Sequence, residues 1–354
     1  MNTIINILLF ILILGVLVFV HELGHFLTAK KSGVHIYEFS IGMGPAIKTI
    51  KGKDGIDYSI RALPIGGYVQ MAGEIYEDDD TKKIPKEKFM CNRPWWQRLI
   101  ILCAGVFNNF LLAIFLLFVI ALIWGAPSLK PTISGVTKDM PAEKAGLSAG
   151  DTITNINNHK VKTWDKAQLL LLLKDDDGVY EITVKHENGK SDTYEVKPKE
   201  VKDEEGNKSK VFGIEIHQES KKGFWVAIKY GFQKFASVSE QMWMTLGSLF
   251  TGGLSINNLS GPVGIYTVVG ETRSAGIASV LFLTAYLSLN LGIMNILPIP
   301  ALDGGHVLFL MIELITRKKV NQKVESITTT IFFALLLLLM IYITIHDIFT
   351  LIIK

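Results

Sequence analysis

Cysteine is nearly absent from this chain, with only Cys91 and Cys103 among 354 residues. Neither their number nor their spacing gives a disulfide framework or a cysteine zinc knot, so both read as incidental thiols. Charge is scarce as well: 19% of residues are Asp, Glu, Lys or Arg against 49% hydrophobic, which excludes a disordered chain and an ordinary soluble globule. The net charge of +3 is too small an imbalance to point to nucleic acid. The N-terminus lacks the basic region and small-residue cleavage site of a signal peptide, so its apolar run is expected to persist in the mature protein.

The hydrophobic residues are concentrated in four stretches free of Asp, Glu, Lys and Arg, at 2–20, 99–124, 274–302 and 326–345. Each is long enough to span a bilayer, giving expected crossings at about 4–26, 99–124, 275–297 and 326–346. The loop after the first crossing carries Lys30, Lys31, Lys48, Lys51, Arg61, Arg93 and Arg98, and the loop after the third carries Arg317, Lys318, Lys319 and Lys323. Basic loops stay in the cytoplasm, which places both termini and the polar block 127–217 outside. A further stretch, 222–250, is rich in aromatic residues but is interrupted by Lys229, Lys234 and Glu240. It fits an amphipathic helix on the outer membrane surface or docked on the core rather than a fifth crossing. The acidic runs at 77–80 and 175–177 read as solvated loops.

His21-Glu22-Leu23-Gly24-His25 closes the first apolar stretch. Residues four apart share a helix face, so the two imidazoles can hold one cation, and this H-E-x-x-H spacing is that of zinc proteases. Glu22 stands where a carboxylate can take a proton from a water polarised by the metal and pass it to a leaving amine. A hydrolytic zinc site needs a third protein ligand, and the patterns that supply one soon after H-E-x-x-H are missing here. Asp303 is the better candidate. It follows Asn295-Ile-Leu-Pro298-Ile-Pro300-Ala-Leu, where two prolines break a helix, and precedes Gly304-Gly305, which allows a close turn. An aspartate there can also serve as a helix cap, but counting crossings brings it to the cytoplasmic half of the membrane, the side that holds His21 and His25. His306 reads as support or packing, and His346 as an interfacial residue.

With these residues in hand, the chain resembles the site-2 protease family of intramembrane zinc metalloproteases, in the bacterial form known as regulator of sigma-E protease. His21 to His25 match the family's first metal motif, and Asn295 to Gly305 match its N-x-x-P-x-P-x-L-D-G-G motif. The resemblance implies one Zn2+ per chain held by His21, His25 and Asp303, with Glu22 catalytic. Gly42-Met43-Gly44 and Ile65-Gly66-Gly67-Tyr68-Val69-Gln70-Met71 are similar to the glycine loop and re-entrant β-hairpin of the family. Gly42, Gly44, Gly66, Gly67, Tyr68 and Val69 are therefore expected to contact the substrate as a strand. Ala104-Gly105-Val106-Phe107-Asn108-Asn109-Phe110 looks like the family's A-G-P-x-x-N-F segment, with Val106 where proline is usual. Asn109 and Asn295 are expected to orient substrate or support the transition state, against the alternative of interhelical hydrogen bonding. The stretch 259–265 also matches, and reads as a structural turn. Met140-Pro-Ala-Glu-Lys-Ala-Gly-Leu-Ser-Ala-Gly150-Asp is similar to a bacterial PDZ signature, which implies a peptide ligand for the block 127–217; better-known members carry two such domains.

The expected architecture is a polytopic α-helical membrane protein with four transmembrane helices, a cytoplasmic-side re-entrant β-hairpin at about 35–75 and one extracytoplasmic PDZ-like domain. The first core half is 1–126 and the second 218–354. The resemblance implies a metalloendopeptidase of a bacterial inner membrane that cuts transmembrane segments of anti-sigma-factor-like proteins or remnant signal peptides. Its expected partners are those substrate helices and the lipid bilayer, with no nucleic acid. Two rival classes remain open at this stage. One is a transporter whose intramembrane His, Glu and Asp bind a cation in transit, disfavoured by the absence of inverted hydropathy repeats. The other is a tethered PDZ adaptor with a structural metal, disfavoured by the intact Glu22.

Overall fold

The computed structural model describes residues 2–73, 84–173, 178–202, 208–216, 219–254 and 260–353. The acidic runs at 77–80 and 175–177 lie outside the described residues. In chain order the elements are α1 (Asn2–Lys31), β1 (Ile36–Lys51), β2 (Asp57–Met71), α2 (Trp95–Trp124), β3 (Ala126–Pro127) and β4 (Gly135–Val136). There follow α3 (Pro141–Ala145), β5 (Thr152–Ile156), β6 (His159–Lys160), α4 (Trp164–Leu172), β7 (Tyr180–Lys185) and β8 (Ser191–Val196). The rest is β9 (Lys199–Lys202), β10 (Lys208–Val211), β11 (Ile214–Glu215), β12 (Ser220–Lys221), α5 (Phe224–Phe250), α6 (Pro262–Ser274), α7 (Ile277–Ile296), α8 (Asp303–Thr316) and α9 (Gln322–Ile353).

Among the described residues four helices, α1, α2, α7 and α9, are long and apolar enough to cross a membrane. The shortest, α7, has 20 residues, and a rise of about 1.5 Å per residue takes it across about 30 Å of hydrocarbon. The chain divides into two compact units, residues 1–116 with 260–348 and residues 117–259 with 349–354.

In the first unit α1 is the hub. Ile13 and Leu17 pack with Val269 of α6 and Val280 of α7, whereas Phe26 and Ala29 pack with Phe39, Val69, Ile101 and Leu310. The strands therefore lie against the end of α1 that bears His21 and His25. Their pairing is more folded than a simple hairpin. Residues 38–41 pair with 67–70 and also with 57–60, and residues 46–51 pair with 57–61. Residues 67–71 thus have 36–41 as their only strand neighbour among the described residues, and no described strand pairs with their other edge. Lys30 at the end of α1 fixes the far turn by a 2.7 Å ion pair to Asp54, which holds the Asp54 carboxyl down at about 2.

The chain leaves α7 through Pro298 and Pro300 and re-enters a helix at Asp303. A Cβ at Gly304 would stand 2.3 Å from the Leu297 carbonyl oxygen, and one at Gly305 would stand 2.3 Å from that of Ile299. Only glycine lets α8 fold back so closely. The most apolar stretch of α9 is wholly unburied, as suits a helix bathed in lipid. Polar contacts tether it: Thr329 donates to the Pro300 carbonyl at 3.1 Å, and Asp347 accepts the amides of Gly261 and Gly264 at 2.9 and 2.8 Å. Of the stretch expected to be a turn at 259–265, residue 259 lies outside the described residues and the part from Pro262 instead opens α6, with Pro262 at a first-turn position where its missing N–H is harmless.

The second unit is built on a four-stranded sheet in the order β6-β5-β7-β8. In β7 the residues Tyr180, Ile182 and Val184 are buried while Glu181 and Lys185 are exposed, the period-two pattern of a half-buried strand. Ala167, Leu170 and Leu171 of α4 close this core. The charges that interrupt 222–250 have partners on α4. Lys234 pairs with Asp165 at 2.6 Å, Ser237 donates to the same carboxylate at 2.7 Å, and Glu240 pairs with Lys166 at 2.7 Å.

Candidate metal centre

His21 and His25 are one helical turn apart on α1 and both are buried. Asp303 opens α8, but the residue before it makes no side-chain cap. Its carboxylate turns to the histidines instead: Oδ2 lies 3.2 Å from His21 Nε2 and 3.3 Å from His25 Nε2. The three ligand atoms fall within 4.8 Å of one another. This Oδ2 is shielded from solvent and has no hydrogen bond of acceptable geometry, an expensive arrangement unless a cation takes its lone pairs. Two imidazoles and one carboxylate are a zinc donor set.

The space between these atoms is kept open by Gly105 of α2. A Cβ there would stand 2.3 Å from His25 Nε2 and 2.8 Å from His21 Nε2. Gly24 makes the matching concession on α1, since its Cβ would meet the Ala104 carbonyl oxygen at 2.3 Å. Two glycines thus let α1 and α2 cross closely enough for α2 to floor the centre. The His25 ring is fixed because its Nδ1 donates to the Ile101 carbonyl at 2.8 Å, leaving Nε2 as the lone-pair nitrogen.

Glu22 is half-buried beside these ligands, and the Val69 backbone is within hydrogen-bonding reach of its carboxylate. A cavity of about 200 Å³ is lined by Glu22, His25, Asp303, Tyr68, Val69 and His306 among others. Of the six residues expected to meet a substrate strand, Tyr68 and Val69 line this cavity, and Gly67 adjoins it, since a Cβ there would lie 3.4 Å from Glu22 Cγ. Gly42, Gly44 and Gly66 stand away from its wall, where positive φ angles of +89°, +83° and +84° turn the chain between paired stretches. Asn295, half-buried at the end of α7, is also outside the cavity lining. Asn109 is brought to the centre, but its amide meets His21 rather than the cavity.

Two residues gain weight from the geometry. In the sequence Gly105 is only one member of a matching segment. His306 lines the cavity with its Nδ1 3.0 Å from Glu325 Oε1. Its signal was present in the sequence, because it lies three residues after Asp303 and so on the same face of α8.

The sequence profile of Peptidase family M50 matches residues 9–339. A Clostridium acetobutylicum protein provisionally named a zinc metalloprotease is 38% identical over 343 residues, with 97% of each chain covered. The regulator of sigma-W protease RasP of Bacillus subtilis is 33% identical, with 97% of this chain and 98% of the relative covered. The zinc metalloprotease RasP of Bacillus licheniformis is 32% identical, with 98% of this chain and 99% of the relative covered. A two-histidine, one-carboxylate cluster beside Glu22, its histidines on an apolar helix of membrane length, is thus joined to full-length similarity, and the chain belongs to peptidase family M50, the site-2 proteases, as a zinc metalloprotease.

Proposed function

We propose that this protein hydrolyses a peptide bond within the transmembrane segment of another membrane protein, with His21, His25 and Asp303 as zinc ligands and Glu22 as the general base and acid. The observation that carries this reading is the convergence of the two histidines and Asp303, from opposite ends of the chain, around a space floored by glycine. Zinc held there supplies a Lewis acid for the scissile carbonyl and for water. Glu22 takes the proton of the attacking water and returns it to the departing amine. Membership of a zinc protease family removes the ground for the transporter and adaptor readings.

A helix hides its peptide bonds, so the substrate must be unwound before it is cut. The open edge at 67–70, beside Glu22, is where we place the extended substrate, paired as an added strand. Anti-sigma-factor-like proteins and remnant signal peptides are the substrate classes carried over by family likeness. The distribution of Lys and Arg supports an orientation with both termini and the block 127–217 outside. The β5–β8 sheet with α4 fits a PDZ-like domain that binds a peptide of the substrate or of a neighbouring protein.

Glu22→Gln tests the central assignment. The variant should bind zinc as the wild type does and lose cleavage of a defined transmembrane substrate by at least ~100-fold, the lower end of general acid-base contributions. Turnover near the wild-type rate would remove Glu22 from the chemistry.

A further inference from the structure

Asn109 lies on α2 one turn beyond Gly105 and is wholly buried, at 0% exposure. Its Nδ2 donates to His21 Nδ1 at 3.1 Å, while its Oδ1 is buried without a hydrogen-bond partner. Its main-chain carbonyl accepts from Ser288 Oγ of α7 at 2.8 Å. The residue thus ties together the helix bearing the histidines, the helix that floors the centre and the helix that leads to Asp303.

An imidazole that offers the Nε2 lone pair to a cation must carry its proton on Nδ1, and that proton needs an acceptor. His25 has one in the Ile101 carbonyl. His21 faces an amide, which can present either end. With Nδ2 forward, His21 bears its proton on Nε2, the atom 3.2 Å from Asp303 Oδ2. A half-turn about the Cβ–Cγ bond of Asn109 exchanges Nδ2 and Oδ1 with little movement of other atoms. The orphaned oxygen then accepts the Nδ1 proton, and Nε2 is freed for a metal. A group able only to donate at this position would hold the wrong tautomer.

We propose that Asn109 is a positioning residue that sets the tautomer and orientation of His21 for metal binding by offering Oδ1 to Nδ1–H, instead of donating to the substrate or its transition state. The inference rests on the reading of His21, His25 and Asp303 as the zinc ligands.

The test uses full-length protein in detergent and measures zinc affinity by chelator competition, with cobalt substituted for zinc to give a visible spectrum. Asn109→Leu keeps the bulk and removes the acceptor; Asn109→Asp keeps an acceptor aimed at Nδ1–H. The leucine variant should bind zinc ~10–100-fold more weakly, the usual result of removing a ligand's hydrogen-bond partner, and its cobalt spectrum should differ from wild type. The aspartate variant should bind zinc at least as tightly as wild type and keep the cobalt spectrum. Ser288 bonds to the main chain, so both substitutions leave that link between helices intact. Should the leucine variant fail to fold, Asn109→Ala replaces it with the same expectation. Wild-type affinity in the variant lacking an acceptor, or equal losses with aspartate and leucine, would overturn the role given to Asn109. A wild-type protein that takes up no zinc would overturn the ligand assignment itself.

Discussion

Gly105 acts through the side chain it lacks. It sits in a regular helix, so its φ does not demand glycine, and alanine at an ordinary helical position is favoured by about 1 kcal/mol. The constraint is instead the Cβ, which would occupy the space between His21 and His25. Gly105→Ala should therefore leave the helix intact and lower zinc affinity by at least ~10-fold, as large as removing a ligand's supporting contact. Chelator competition reads it directly, and unchanged affinity would mean that the space beside the histidines is not the metal's. His21, Glu22 and His25 could be read from the sequence because their relation is local, set by helical spacing. Gly105 could not be read in this way: its partners lie on another helix, and contacts across a helix crossing have no period along the chain.

Secondary structure followed the same division between local and non-local information. Uncharged length identified α1, α2, α7 and α9, and alternation pointed to strands around Tyr58. Neither indicated that residues 38–41 would lie between two stretches of β2, leaving 67–71 with an open edge. The turn expected at 259–265 gives way to helix from Pro262 onward, because a proline just inside a helix start looks, in isolation, like a breaker. Similarly, Lys234 and Glu240 were visible as interruptions, while their partners Asp165 and Lys166 on α4 were not. The open edge leads to a prediction. Val69→Pro removes a backbone donor from this edge and spoils strand addition, so cleavage of a transmembrane substrate should fall by up to ~10-fold, the loss of about one backbone hydrogen bond. Zinc content should not change. Undiminished cleavage would exclude 67–70 as the substrate's docking strand.

For the molecule as a whole, the basic loops and the parity of the crossings already implied that Asp303 and the two histidines share one side of the membrane. The packing of α1 against α6 and α7, and the glycine-permitted return into α8, account physically for how that proximity is reached. The proposed activity therefore depends on a single ion held by residues from both ends of the chain. Zinc content of purified Asp303→Ala beside wild type tests it most directly. The prediction is about one zinc per wild-type chain, as for a mononuclear site, and a small fraction of that in a variant that still folds. A variant that retained the full wild-type complement would show that Asp303 is no ligand, and His21, His25 and Asp303 would not form one metal centre.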